Sequence, residues 1–308
     1  MEKKISRIVK LIIRLLIGAF FISTAVLKLL SLDHFEIYIY SFKLFSFAFS
    51  TFVARCVIAA ELLLGALLIS RILYKPAWWC TMAMLLGFTG LLVYTALFRN
   101  DANCHCMGDI VQLNPTWSIV KNVVTMALLL VIRREKEIRF RGKIFVTIAL
   151  IVAALGVPFV LFPMDIVYKN FDKKELSWNP KQFDLLMQDS LVQPLALNKG
   201  KYIIGFVSSE CPYCQTSVMK IQNIFSNNHL DVNRLHFFIM GNDRSVQYFK
   251  ESTGTEKYAY SPINPYVELN ITQGALPLYL FLQDGKVVKV KNLRMLDDRS
   301  VVSFINKE

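Results

Sequence analysis

The chain has 308 residues, a formal net charge of +12, and 54% hydrophobic residues crowded into its first half. That length accommodates two domains, and the split composition excludes one uniform soluble globule. The charge does not point to nucleic acid. Its densest cluster, Arg133, Arg134, Lys136, Arg139, Arg141 and Lys143, lies between two apolar segments, where a cytoplasmic loop concentrates Lys and Arg. Binding of anionic lipid is the other reading of that cluster.

The chain opens with a basic stretch, Met1 to Arg14, followed by an apolar run to Leu30 without a small-residue cleavage site. This reads as a first membrane helix retained in the mature protein. Five spans are predicted, at about 8–30, 50–70, 77–98, 115–132 and 144–162. Lys3, Lys4, Arg7 and Lys10 hold the N-terminus in the cytoplasm. Counting spans from there, loop 31–49 is outside, the turn Arg71 to Pro76 inside, loop 99–114 outside, and the basic loop 133–143 inside. Everything after about Pro163 is then delivered outside. The predicted domains are a transmembrane helical domain at 1–165, a linker at 166–174 and an α/β domain at 175–308.

In the second half, residues 199–214 read as a strand ending in a short loop, and a helix follows from about Pro212 to Phe225. A strand Leu235 to Met240 and a helix around Ser245 to Glu251 come next. Leu276-Pro277 then precedes a strand Leu278 to Leu282, and Asp284-Gly285 turns the chain into a strand Val287 to Val290.

Two cysteine pairs carry the chemistry. Cys211-Pro212-Tyr213-Cys214 follows the first strand and opens the first helix of the α/β domain, the setting of a redox motif. A helix N-terminus stabilises a thiolate on the first cysteine, and the second resolves the mixed disulfide. A structural disulfide or a zinc half-site are the alternatives, although a closed zinc site needs two more ligands. Cys104-His105-Cys106 lies in loop 99–114, which the topology places on the same oxidising face as Cys211 and Cys214. A bridge between Cys104 and Cys106 closes a tight ring, and strained, exposed disulfides are oxidising and labile, which suits a relay to Cys211. A static staple and a shallow metal site with His105 as third ligand stay open.

The α/β half resembles the thioredoxin superfamily over about residues 175–308, on Cys211-Pro212-Tyr213-Cys214, Leu276-Pro277 and the Asp284-Gly285 hairpin. The resemblance implies a cis Pro277 facing the active cysteines. The Lys199-Gly200-Lys201 approach and the long stretch between Cys214 and Pro277 look like the TlpA-like branch with an extra βα insertion, to which membrane-tethered periplasmic thioredoxins belong. One departure stands out. Gly205 occupies the place where that family carries a buried acid that helps deprotonate the resolving cysteine. Glu210 is the adjacent candidate substitute, though its charge opposes a nearby thiolate.

The first half resembles the DoxX-like membrane proteins, and within them the MauE branch associated with methylamine dehydrogenase maturation, over about residues 1–132. The residues that carry this are Arg14 to Phe21 and Lys28-Leu29, then Glu61 to Gly65, then Cys104-His105-Cys106-Met107-Gly108-Asp109 ahead of Trp117 and Asn122. What it implies is a role in forming or rearranging disulfides of exported proteins at the bacterial inner membrane. The implied fold class is thus a membrane α-helical bundle of about five transmembrane helices plus an α/β thioredoxin-like domain.

Glu61 is an ionisable residue near mid-membrane and so a functional candidate, here as a cofactor-binding residue; a packing hydrogen bond to Arg14 or Arg55 is the plainer reading. Cys56 and Cys80 fall inside spans and are expected to be small buried apolar residues. The leading function is a membrane thiol–disulfide oxidoreductase acting on exported protein thiols and disulfides. Its expected site residues are Cys211, Cys214, Cys104, Cys106 and Pro277. A membrane quinone is the expected electron partner, by analogy with the vitamin K epoxide reductase-like proteins, which also join a small helical bundle to a thioredoxin domain. The alternative is copper or zinc handling by Cys104, His105 and Cys106 with Cys211 and Cys214, helped by Met107. The Pro-Tyr dipeptide matches the glutaredoxin pattern, whose potentials of roughly −200 to −230 mV leave both directions of electron flow open.

Overall fold

The computed structural model describes residues 2–99, 114–138, 141–165, 176–189, 192–195 and 197–306. The Cys104-His105-Cys106-Met107 segment and the linker expected at 166–174 lie outside the described residues. The chain divides into two compact units, Met1–Ile39 with Phe49–Met164, and Tyr40–Ala48 with Asp165–Glu308.

The first unit is helical. It contains α1 (Glu2–Leu30), α2 (Leu32–Tyr40), α3 (Phe47–Ser70), α4 (Tyr74–Phe98), α5 (Pro115–Val131) and α6 (Lys143–Gly156). A single π turn, Val157–Leu161, prolongs α6 where Pro158 removes a backbone donor. Among the described residues, four stretches are long and apolar enough to cross a bilayer: Arg7–Leu30, Phe47–Ser70, Tyr74–Phe98 and Lys143–Leu161. The fifth expected span is the shorter α5, with 17 residues. Asn114 sets its start, accepting the Trp117 N–H at 2.9 Å, with Pro115 in the first helical position. Apolar side chains such as Leu16, Phe98 and Phe145 point outward, an arrangement suited to hydrocarbon rather than water. The short α2 lies within the predicted loop 31–49.

Close packing of α1 on α3 depends on two glycines. A Cβ on Gly18 would stand 2.8 Å from the Gly65 carbonyl oxygen, and one on Gly65 would stand 2.7 Å from that of Gly18. Small residues let membrane helices approach to this distance. Ile17, Phe21, Leu64, Leu68, Trp78 and Leu129 fill the core between α1, α3, α4 and α5. The Trp78 indole N–H and the Tyr74 hydroxyl donate to the carbonyls of Leu129 and Ile132, each at 2.8 Å, tying α4 to α5.

The second unit is built on a five-stranded sheet of β1 (Lys201–Ser208), β2 (Leu235–Met240), β3 (Ala259–Pro262), β4 (Leu278–Gln283) and β5 (Lys286–Lys291). The strand order is β3-β2-β1-β4-β5. β1, β2 and β3 run parallel, while β4 is antiparallel to both β1 and β5. Its helices are α7 (Pro180–Met187), α8 (Pro212–Asn227), α9 (Asp243–Thr253), α10 (Pro265–Thr272) and α11 (Asp298–Asn306). Phe183 and Leu186 of α7 and Ile271 of α10 pack with Ile204, Phe206, Leu278 and Leu280 on one face. On the other face, Ser217 of α8 meets Tyr279, and Phe304 of α11 meets Phe281. The β4–β5 turn places Asp284 at φ 50° and Gly285 at φ 76°, the left-handed pair that a two-residue hairpin demands. The expected extra βα insertion is β3 with α10, and its strand closes the edge beside β2.

Candidate functional site

At the end of β1 the chain turns through Ser209 and Glu210 and enters α8 at Pro212, with Cys211 as the N-cap. Pro suits the first helical position, where the missing N–H would have had no partner. The Cys211 sulfur accepts the peptide N–H of Cys214 at 3.3 Å. The Cys214 thiol and the peptide N–H groups of Cys214 and Tyr213 stabilise its charge and bring its pKa down to about 6, against burial, which pushes it up. Cys214 is fully buried, and its sulfur accepts the Ser208 N–H at 3.5 Å. Hydrogen bonding to Cys211 and burial drive the Cys214 pKa far up. One sulfur is therefore ionised at neutral pH while its neighbour keeps its proton.

Pro277 follows Leu276 through a cis peptide bond. It lines a groove of about 590 Å3 together with Tyr213, the residue between the two cysteines, and with Leu276, Asn292 and Arg294. Tyr213 is 65% exposed there, offering an apolar ring to whatever lies along the groove. Tyr213, between the two cysteines, and Pro277 thus share one groove.

Gly205 is where the sheet excludes an acid. A Cβ at that position would stand 2.7 Å from Phe237 Cδ1 and 2.9 Å from Tyr279 Cε1, so two aromatic rings take the space. Glu210, the expected substitute, is exposed. The buried acid comes instead from α10. Glu268 is 0% exposed, and neither carboxylate oxygen has a hydrogen-bond partner among the described residues. Burial raises its pKa to about 9, against the peptide groups of Met240 and Val207, which pull it down. It lies close enough to the cysteines for its charge to disfavour a Cys214 thiolate. The sequence carried a signal for it: Glu268 precedes the buried Ile271 and Thr272 by three and four residues, which puts it on the inner face of a helix.

Glu61 also differs from expectation. Its partner is neither Arg14 nor Arg55 but Lys28, whose ammonium donates to Glu61 Oε1 at 2.5 Å. Arg14 instead donates to the carbonyls of Leu68 and Ile69 at 3.0 and 2.6 Å, and Arg55 pairs with Glu36. Cys80 is exposed on the surface of α4 rather than buried, and Cys56 is half-buried. Cys104 and Cys106 lie outside the described residues. Among the described residues, no three His, Cys, Asp or Glu side chains stand together as metal ligands would.

Comparison with known proteins agrees with this division. Residues 6–133 match the family described as Methylamine utilisation protein MauE. The chain is also 33% identical over 137 residues to Protein TlpB of Flavobacterium psychrophilum, an alignment covering 42% of this chain and 37% of that protein. The chain thus spans well under two thirds of the length of the curated relative it matches. The chain joins a multi-pass helical part, similar to MauE over residues 6–133, to an α/β domain of thioredoxin-like fold.

Proposed function

We propose that this chain is a membrane-bound thiol–disulfide oxidoreductase acting on exported proteins. The observation that carries this is the Cys211 sulfur at the N-cap of α8, ionised at neutral pH beside a protonated, buried Cys214. A client disulfide lies along the groove at Tyr213 and Pro277, and the Cys211 thiolate attacks one of its sulfurs. The client S–S bond breaks, a Cys211–client bond forms, and the other client sulfur leaves as a thiolate that water protonates. Cys214 then gives up its proton and attacks Cys211 Sγ. The Cys211–Cys214 disulfide forms, and the client departs reduced by two electrons. Run backwards, the same steps oxidise a client dithiol.

The second step needs somewhere for the Cys214 proton, and Glu268 supplies it. The acid that belongs at position 205 is sterically excluded, while Glu268 is fully buried and near enough for its charge to act on Cys214. Its ionised form, a minor fraction at neutral pH that grows as pH rises toward 9, takes the proton as Cys214 attacks, and its protonated form returns the proton when Cys214 is the leaving group.

Cys104 and Cys106 reset the Cys211–Cys214 pair by the same exchange. This rests on loop charge, which assigns both pairs to one side: cytoplasmic N-terminus, thioredoxin-like domain on the periplasmic face of the bacterial inner membrane. A lipid quinone, when bound, supplies a two-electron, two-proton couple to the membrane domain.

The test is mixed-disulfide trapping in the full chain. With Cys214→Ala, a bond from Cys211 to Cys104 or Cys106 accumulates and is located by alkylation mapping. Its absence under every redox condition ends the relay. Stoichiometric copper or zinc in the purified protein, lost in Cys104→Ser, would replace exchange chemistry by metal handling.

A further inference from the structure

The start of α4 and the end of α5 lie at the same end of the helical unit, where apolar sequence gives way to charge. The Tyr74 hydroxyl and the Trp78 indole N–H fix the first turns of α4 to the last carbonyls of α5. Arg133, two residues past α5, is thereby brought over α4. Its guanidinium carbon stands 5.7 Å from the ring centroids of both Trp78 and Trp79, which meet edge to face at 4.9 Å. Trp78 is buried, but Trp79 is 59% exposed. Lys75 lies one helical turn before Trp79 on the same face of α4, and both Lys75 and Arg133 are exposed.

The acids at this end face other groups. Glu135 stands 3.7 Å from Arg14 and 3.8 Å from Arg71, and Glu137 Oε1 accepts the Lys75 peptide N–H at 3.4 Å. Charge that only orients a membrane helix needs no fixed geometry. Here one cation is stacked on an exposed indole and a second lies a turn away. A guanidinium fork and an ammonium together suit a phosphate group. The face below them selects the rest of the occupant. Leu86 and Val93 follow Trp79 at seven-residue spacing, and both are exposed, so the basic end continues into an apolar strip along α4. A soluble anion would leave that strip uncovered; acyl chains cover it. A choline headgroup would set its own cation against Lys75 and Arg133, whereas an anionic headgroup does not.

We propose that Lys75, Trp79 and Arg133 bind the phosphate of one anionic phospholipid, whose chains run along α4 over Leu86 and Val93. The site stands apart from the thiol chemistry and does not depend on it.

The test uses the purified full chain in detergent, with bound lipids counted by native mass spectrometry. One saturable phosphatidylglycerol is expected, bound about tenfold or more tightly than phosphatidylcholine with the same chains. Arg133→Gln and Lys75→Gln are each expected to weaken it about fivefold, and Arg133→Lys less. Arg134→Gln removes an equal charge from the next residue and is expected to leave the affinity within about twofold, as a built site rather than diffuse charge requires. Equal binding of the two lipids, equal losses in Arg134→Gln and Arg133→Gln, or no loss in both Arg133→Gln and Lys75→Gln overturns the site. Displacement of the lipid by millimolar inorganic phosphate also overturns it, in favour of a soluble phosphate ligand.

Discussion

Cys211 Sγ and the peptide N–H of Cys214 are 3.3 Å apart, so the attacking sulfur is also the cap of its own helix. Capping and catalysis both favour the thiolate, and with its pKa near 6 about 90% of Cys211 is ionised at pH 7. Iodoacetamide alkylation of Cys211 is expected to rise with a midpoint near pH 6, with Cys214 inert across the same range. A midpoint at pH 8 or above would remove the activated nucleophile.

Replacing Gly205 tests whether aromatic packing keeps an acid out of β1. Gly205→Ala puts a methyl group 2.7 Å from Phe237 Cδ1 and is expected to cost about 1–3 kcal/mol through overpacking. Gly205→Asp adds a buried charge and costs more. Thermal melts of the two variants matching that of the native protein would show that the rings yield.

Glu268→Gln separates proton handling from packing. The folded-state pKa is about 9 against 4.5 for the free side chain. Between those values the folded chain keeps a proton that the unfolded chain has released. Stability is therefore full below about pH 4.5 and falls as pH rises toward 9, by at most about 1.4 kcal/mol per unit. Glu268→Gln lacks this slope, and the contribution of Cys211 cancels in the comparison. Resolution of the mixed disulfide is expected to slow tenfold or more, most visibly when its rate is followed against pH. Parallel stability profiles and unchanged resolution would leave Glu268 a packing residue.

The Lys28–Glu61 pair lends itself to a double-substitution cycle. Lys28→Met strands a carboxylate, and Glu61→Leu strands an ammonium, each expected to cost roughly 3–5 kcal/mol. The double variant is expected to recover most of that loss, because two apolar groups need no counter-charge. Unfolding in detergent measures all three; additive losses would mean the two groups do not depend on one another.

Periodicity and punctuation explain which elements were legible. Asp284-Gly285, the Pro-Tyr pair at a helix start and the long apolar runs are local signals, and β2, β4, β5, α8 and the membrane helices lie where those signals placed them. α2, α7, β3, α10 and α11 are short and lie outside the predicted elements, and β3 alternates only weakly in burial. With α10 unrecognised, Glu268 could not be placed on a buried face.

Local chemistry by itself determined the two-part architecture, the positions of Cys211, Cys214 and Pro277, and the presence of an acid within a membrane helix. Only tertiary packing decided the partners. Lys28 rather than Arg14 or Arg55 reaches Glu61, and the buried Glu268 rather than the exposed Glu210 acts electrostatically on Cys214. Burial and charge pairing depend on which residues distant in sequence come within a few ångströms, and that distance is set by how helices and strands pack. A side chain's type tells what it needs from its surroundings; only the fold determines which neighbour provides it.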